Sequence, residues 1–108
     1  MNSISNYVQL IGNLGRDVEV QTFDNGTTRA RVSIATKEVF RDKSGEKRVT
    51  TQWHDLVAWG KVAEMMQVFL KKGSSVVVQG KLHHHLLGET EVIRYRTEVV
   101  VNEFRLMN

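Results

Sequence analysis

Three histidines stand side by side in the stretch GKLHHHLL, residues 80–87, and they make up three of the chain's four imidazoles. Adjacent imidazoles can ligate a metal ion, titrate near neutral pH, or stand as unrelated surface positions. On a strand, His83 and His85 share one face and His84 points to the other, so one ion cannot reach all three. A metal site would need His83 and His85 with a third ligand such as Glu89 or Glu91. Nothing in the spacing demands one, so no metal ligands are assigned and no cofactor is expected.

A second group is aromatic. Trp53 and Trp59 are six residues apart in one strand-like run, so a period of two puts both on one face with Asp55 and Val57. His54, Leu56 and Ala58 face the other way. If Leu56 and Ala58 are core, both indoles lie outside, where large rings are unfavourable without a ligand; the reverse assignment buries them. Alternation by itself leaves both assignments open.

The surrounding charge favours the first. Residues 29–48 hold seven basic side chains (Arg29, Arg31, Lys37, Arg41, Lys43, Lys47, Arg48) against three acids (Glu38, Asp42, Glu46), an excess larger than the +3 of the whole chain. Phe40 closes the strand expected to pair with the Trp-bearing one. Rings interleaved with Arg and Lys suit single-stranded nucleic acid, since a base stacked on a ring contributes about 1–3 kcal/mol and cations follow the phosphates. An enzyme has little support: no paired carboxylates, no phosphate-binding glycine loop and no cysteine nucleophile.

The elements that must position these groups are strands. YVQLIG (7–12) and VEVQTF (18–23) read as short strands around an NLGRD turn, and Asp24-Asn25-Gly26 is a hairpin signal. From Thr28 to Phe40, Ala30, Val32 and Ile34 alternate with Arg29, Arg31 and Ser33, and the strand pattern returns from Val49 to Trp59. KVAEMMQVFL (61–70) spaces Val62, Met65, Met66, Phe69 and Leu70 as a helical apolar face, with Lys71, Lys72 and Gly73 as its stop. SVVVQGKLH (75–83) and VIRYRTEVVV (92–101) are the last strands, joined across LLGET. Strands, one short helix and two further strands are the order of an all-β OB-fold, a five-stranded Greek-key barrel with its helix between the third and fourth strands.

One domain over residues 1–108 is expected: the chain has 41% hydrophobic and 25% charged residues, no proline and no cysteine. No apolar run approaches the roughly 20 residues that span a bilayer, so no membrane partner is expected and a cytoplasmic location is read.

The stretches IGNLGRDVEV, FRDKSGE, QWHDLVAWGKVAE, LKKGSSVVVQGKL and RYRTEVVVN, in this order, resemble the bacterial single-stranded DNA-binding protein family over nearly the whole chain. The resemblance implies an OB-fold that assembles as a homotetramer, coats and protects single-stranded DNA without sequence preference in replication, recombination and repair, and performs no chemistry. It implies base stacking on Phe40, Trp53 and Trp59 and phosphate contacts from Lys43, Lys61, Lys72 and Arg94. Arg29, Arg31 and Arg96 join them on charge and alternation. It also implies a subunit contact at His54, and the first strand, with Tyr7, is read as a pairing edge.

Departures from the family pattern carry expectations too. Asp55 replaces a common basic residue and is expected to pair with a nearby Arg or Lys. Leu87 stands where many members have a stacking tryptophan, and Ser3 replaces a basic residue. The family's acidic C-terminal tip, which recruits replication and repair proteins, has no counterpart after NEFRLMN. His83 and His85, where the family is rich in Arg and Lys, are read as titratable cations that strengthen DNA binding toward pH ~5.5. The alternative to the single-strand binder is a primosome-type OB accessory protein acting mainly through protein partners.

Overall fold

The structure, a computed structural model, describes residues 4–87 and 94–107. Its elements are β1 (Val8–Leu14), β2 (Glu19–Thr22), β3 (Thr28–Arg41), β4 (Lys47–Trp59), α1 (Gly60–Phe69), β5 (Ser75–Leu87) and β6 (Arg94–Leu106). The strands lie in the order β1-β5-β6-β4-β3-β2, and a further β1–β3 pairing closes the sheet into a barrel.

Six strand segments make five barrel strands because β1 and β2 are two parts of one. The end of β1 pairs with β3 at Asn13↔Ala35 and Leu14↔Ile34, and β2 continues along β3 from Glu19↔Arg31 to Thr22↔Thr28. Counted so, α1 falls between the third and fourth strands, as the order of elements predicts. The parallel β4–β6 contact, Leu56↔Val99 and Val57↔Val100, is the only one among antiparallel partners in the described sheet. It is the Greek-key signature of the OB-fold.

Closure brings β1 hard against β3. A Cβ placed on Gly12 would lie 2.0 Å from the carbonyl oxygen of Ala35, so only glycine fits there. The NLG expected as a turn instead stays in strand through Leu14, since Asn13 and Leu14 gain pairing on β3 and Asn13 Nδ2 bonds Ser75 Oγ at 2.8 Å.

Alternation sorts the core. Ala30, Val32 and Ile34 from β3, Leu56 and Ala58 from β4, Val76 and Val78 from β5 and Val99 and Val101 from β6 point inward and are buried. From α1 the inward residues are Ala63 and Met66, with Leu70 just beyond, while the expected face members Met65 and Phe69 are exposed. A short helix capping a barrel end presents only a narrow line, and the small Ala63 lets it sit close. The helix also stops before the lysines: Leu70 is already extended, so Lys71 and Lys72 lie outside the last turn.

Two strand pairs outrun the barrel. β3 and β4 pair without interruption from Arg29↔Trp59 to Arg41↔Lys47, and β5 and β6 from Val76↔Leu106 to Leu87↔Arg94 with one irregularity at Gln79/Gly80. These arms raise the radius of gyration to 15.9 Å, against about 13 Å for a compact chain of this size. The expected strand start at Val92 and most of the LLGET connection lie outside the described residues. Among the described residues, no helix is long and apolar enough to cross a membrane.

Candidate nucleic-acid interface

With Leu56 and Ala58 in the core, both indoles are left outside. Trp53 is 61% and Trp59 45% exposed. The register extends their face sideways: Arg29 is opposite Trp59, Arg31 opposite Val57, and Ser33 opposite Asp55. Val57 is buried although it faces outward, because Arg29, Arg31 and Trp59 flank it in a shallow groove that continues to His85, Arg96 and Glu98. One sheet face therefore carries two rings and three arginines.

Each ring has its own support. Trp53 lies across Gly15, where a Cβ would come 2.5 Å from its Cζ3 and 2.9 Å from its Cη2. Trp59 stacks on Phe23, centroids 6.2 Å apart at 24°, and the guanidinium of Arg29 sits 5.2 Å from the Phe23 centroid. Phe23 was not among the residues singled out from the sequence. Its signal was an aromatic side chain just before the Asp24-Asn25-Gly26 turn.

The arginines are held by polar neighbours. Arg29 Nη2 donates to Gln21 Oε1 at 2.8 Å, and Arg31 Nη2 lies 3.5 Å from Glu98 Oε2. Arg96 is 4.0 Å from Asp55, the basic partner expected for that carboxylate. An exposed pair at that distance is weak, so Asp55 holds Arg96 only loosely.

The other anticipated residues are more dispersed. Phe40 pairs with Arg48 at the far end of the β3–β4 arm and shares the parity of Ile34, which puts it on the reverse side of the ribbon from Trp53. It is exposed, as is Lys43 in the turn. Lys61, in the first turn of α1, follows Trp59 closely, and Lys72 donates its backbone N–H to Asp17 Oδ1 at 2.8 Å with its side chain exposed. Arg94 opens β6 opposite Leu87; the side chains of both lie outside the described residues. Tyr95 between Arg94 and Arg96 is 67% exposed and was also overlooked, although RYR interleaves a ring with cations.

The turn of the long arm is organised by Asp42. Its Oδ1 accepts from Ser44 Oγ at 2.7 Å, Ser44 N at 2.9 Å and Glu46 N at 3.0 Å, and its Oδ2 from Arg48 Nε at 2.9 Å. These bonds, Ser44's first and Arg48's next, lower its pKa from 3.8 to about 2. The sequence showed the loop there and not the carboxylate that orders it.

His83, His84 and His85 divide as period two requires. His84 Nδ1 bonds Thr97 Oγ1 at 2.7 Å, while His83 Nδ1 and His85 Nε2 face each other at 3.2 Å and His85 also meets the buried carboxylate of Glu98. His54 is half-buried and its Nε2 shares a 2.9 Å hydrogen bond with Thr36 Oγ1 of its own chain, whereas Tyr7 is exposed just before β1 with its hydroxyl 3.3 Å from Gln9 Oε1.

A closed barrel of this topology with rings and cations on its sheet face is an OB domain, a class whose sheet and loops take up oligonucleotides or oligosaccharides. Residues 5–107 match the Single-strand binding protein family, and the chain belongs to that family. The SSB of Plasmodium falciparum, whose structure was solved in complex with ssDNA, is 31% identical over 99% of this chain and 97% of that one, with a TM-score of 0.84. A deletion mutant of the single-stranded DNA binding protein of Thermus aquaticus, 24% identical over 95% of this chain, has the same fold at a TM-score of 0.84; only 50% of that longer chain is covered.

Proposed function

We propose that this chain binds single-stranded DNA without sequence preference along the outer face of its sheet. Bases stack on Trp53 and Trp59, and Arg29, Arg31 and Arg96 meet the phosphates between them. The path passes round the β3–β4 arm to reach Lys43 at its tip and Phe40 on its reverse side, Lys61 and Lys72 border it near α1, and Arg94 and Tyr95 serve the other arm. The observation that carries this reading is the exposure of both indoles on a basic face. Large rings left in water beside arginines are a platform for a planar ligand, and membership of the single-strand binding family names the ligand class. The same rings separate this reading from an accessory protein acting through protein partners.

Self-association is part of the proposal. Among the described residues, Val8–Ile11 of β1 pairs only with β5, so its second edge is open, with Tyr7 and Ile11 exposed beside it. A second copy adding its β1 there would extend the sheet, and a tetramer built on such contacts would supply the avidity that one short basic face lacks. Protection of exposed strands in replication, recombination and repair, in company with the proteins of those processes, follows from this activity.

The test is intrinsic fluorescence during titration with oligo(dT) and with a duplex of equal length. Quenching by the single strand alone, weakening with salt by a slope of about −0.7 per phosphate neutralised, is the expected result. Unquenched indoles at saturating oligo(dT) would overturn it. Light scattering with and without substitution of Tyr7 and Ile11 tests the assembly.

A further inference from the structure

One cluster stands at the end of the same groove, beyond the two indoles. His83 and His85 share the outer face of β5, and Glu98 on β6 stands directly opposite His83 in the register. One ligating atom from each residue lies within 4.8 Å of the others. The two imidazoles meet edge to face with centroids 4.3 Å apart, and the 3.2 Å between His83 Nδ1 and His85 Nε2 brings two potential ligand atoms to a common point. With zinc–nitrogen bonds of ~2.0–2.1 Å, two nitrogens on a tetrahedral ion are separated by about 3.3 Å.

Glu98 is the buried member of the cluster. Its side chain is 4% exposed, Oε1 faces His85, and Oε2 accepts no hydrogen bond among the described residues. The guanidinium of Arg31, 3.5 Å from Oε2, fixes the carboxylate from behind, as outer partners of metal-ligating carboxylates do. A buried carboxylate aimed at two converging imidazoles is a mixed nitrogen and oxygen donor set, which suits borderline divalent ions better than calcium or magnesium.

We propose that His83, His85 and Glu98 form a three-ligand site for a zinc-class divalent transition ion, with the fourth position open to solvent beside the exposed His83. The chain alone pointed to Glu89 or Glu91 for a third ligand, both outside the described residues; strand pairing supplies Glu98 instead. The site does not depend on the single-strand reading, because its test is made on the protein without DNA. A bound ion joins β5 to β6 and adds positive charge to the face of Arg31 and Arg96.

His84 provides the control, since its imidazole is bonded to Thr97 on the opposite face. The experiment titrates the full chain with Zn2+ alone by calorimetry and with Co2+ alone by visible absorption. One ion per chain is expected, with the intense Co2+ bands of four- or five-fold coordination and a melting temperature that rises with Zn2+ concentration. H83A, H85A and E98Q should each weaken uptake by about tenfold or more, in line with the loss of a ligand or its support, while H84A should leave it unchanged. Circular dichroism checks each variant's fold, and E98D replaces E98Q if the latter does not fold. Absence of saturable uptake, equal weakening by H84A and H83A, or uptake indifferent to Glu98 would overturn the proposal, the last two by revealing a nonspecific histidine chelate.

Discussion

Gly15→Ala separates the platform from the fold. An added methyl at Gly15 would lie 2.5 Å from Cζ3 and 2.9 Å from Cη2 of Trp53, where carbon atoms need about 3.5–4.0 Å, so one of them must move by roughly 1 Å. The indole yields, because it is the far end of a side chain that is 61% exposed. The backbone does not object, since Gly15 is not among the glycines with positive φ. Stability should hold or rise by about 0.4–1 kcal/mol from the stiffer unfolded chain. Affinity for oligo(dT) should fall by part of what W53A loses: a stacked base is worth ~1–3 kcal/mol, or roughly 5-fold to 150-fold, and a tilted ring keeps only some of it. The assay is oligo(dT) titration of wild type, G15A, W53A and the double variant, with Trp59 reporting throughout. The two substitutions act through one ring, so the double variant should bind no worse than W53A. Wild-type affinity in G15A, or additive losses in the double variant, would refute the placement of Trp53 as a base platform seated on Gly15.

Other expectations follow from the same geometry. G12A must push β1 off the Ala35 carbonyl at the closure of the barrel and should destabilise by about 1–3 kcal/mol or more, read as a lower denaturant midpoint. W59A removes the ring stacked on Phe23 and should lower oligo(dT) affinity by about 5-fold or more while the salt slope stays the same. R31A should instead flatten that slope by about 0.7, seen in titrations at several salt concentrations. Asp42, whose pKa falls from 3.8 to about 2 on folding, contributes stability above pH 4 that is lost as pH drops through about 2. Thermal melts should therefore show wild type converging on D42N over that range, and parallel curves would refute the role of Asp42.

Much of this was legible along the chain. Alternation through Ala30, Val32 and Ile34, the Asp24-Asn25-Gly26 turn and the change of period at Gly60 indicated strands, hairpin and helix in their order, and Trp53 and Trp59 were assigned a shared face. The helix face was less legible. Ala63 is buried and Met65 is not, because a short helix on a barrel end is selected by fit and not by hydrophobicity.

Local pattern by itself determined which residues lie together on each strand, since a period of two follows from backbone geometry alone. It also carried the basic excess of residues 29–48 and the family resemblance. Only the tertiary structure decided which face was the core, because that depends on which distant residues are buried with Leu56: Val99 of β6, 43 residues on and beside it in the sheet, belongs to the same core cluster. The same long-range pairing put Phe23 beneath Trp59, Gly15 beneath Trp53 and Glu98 beside His83 and His85. Contacts between strands distant in sequence are set by register and barrel closure, and neither leaves a mark in the local spacing of residues.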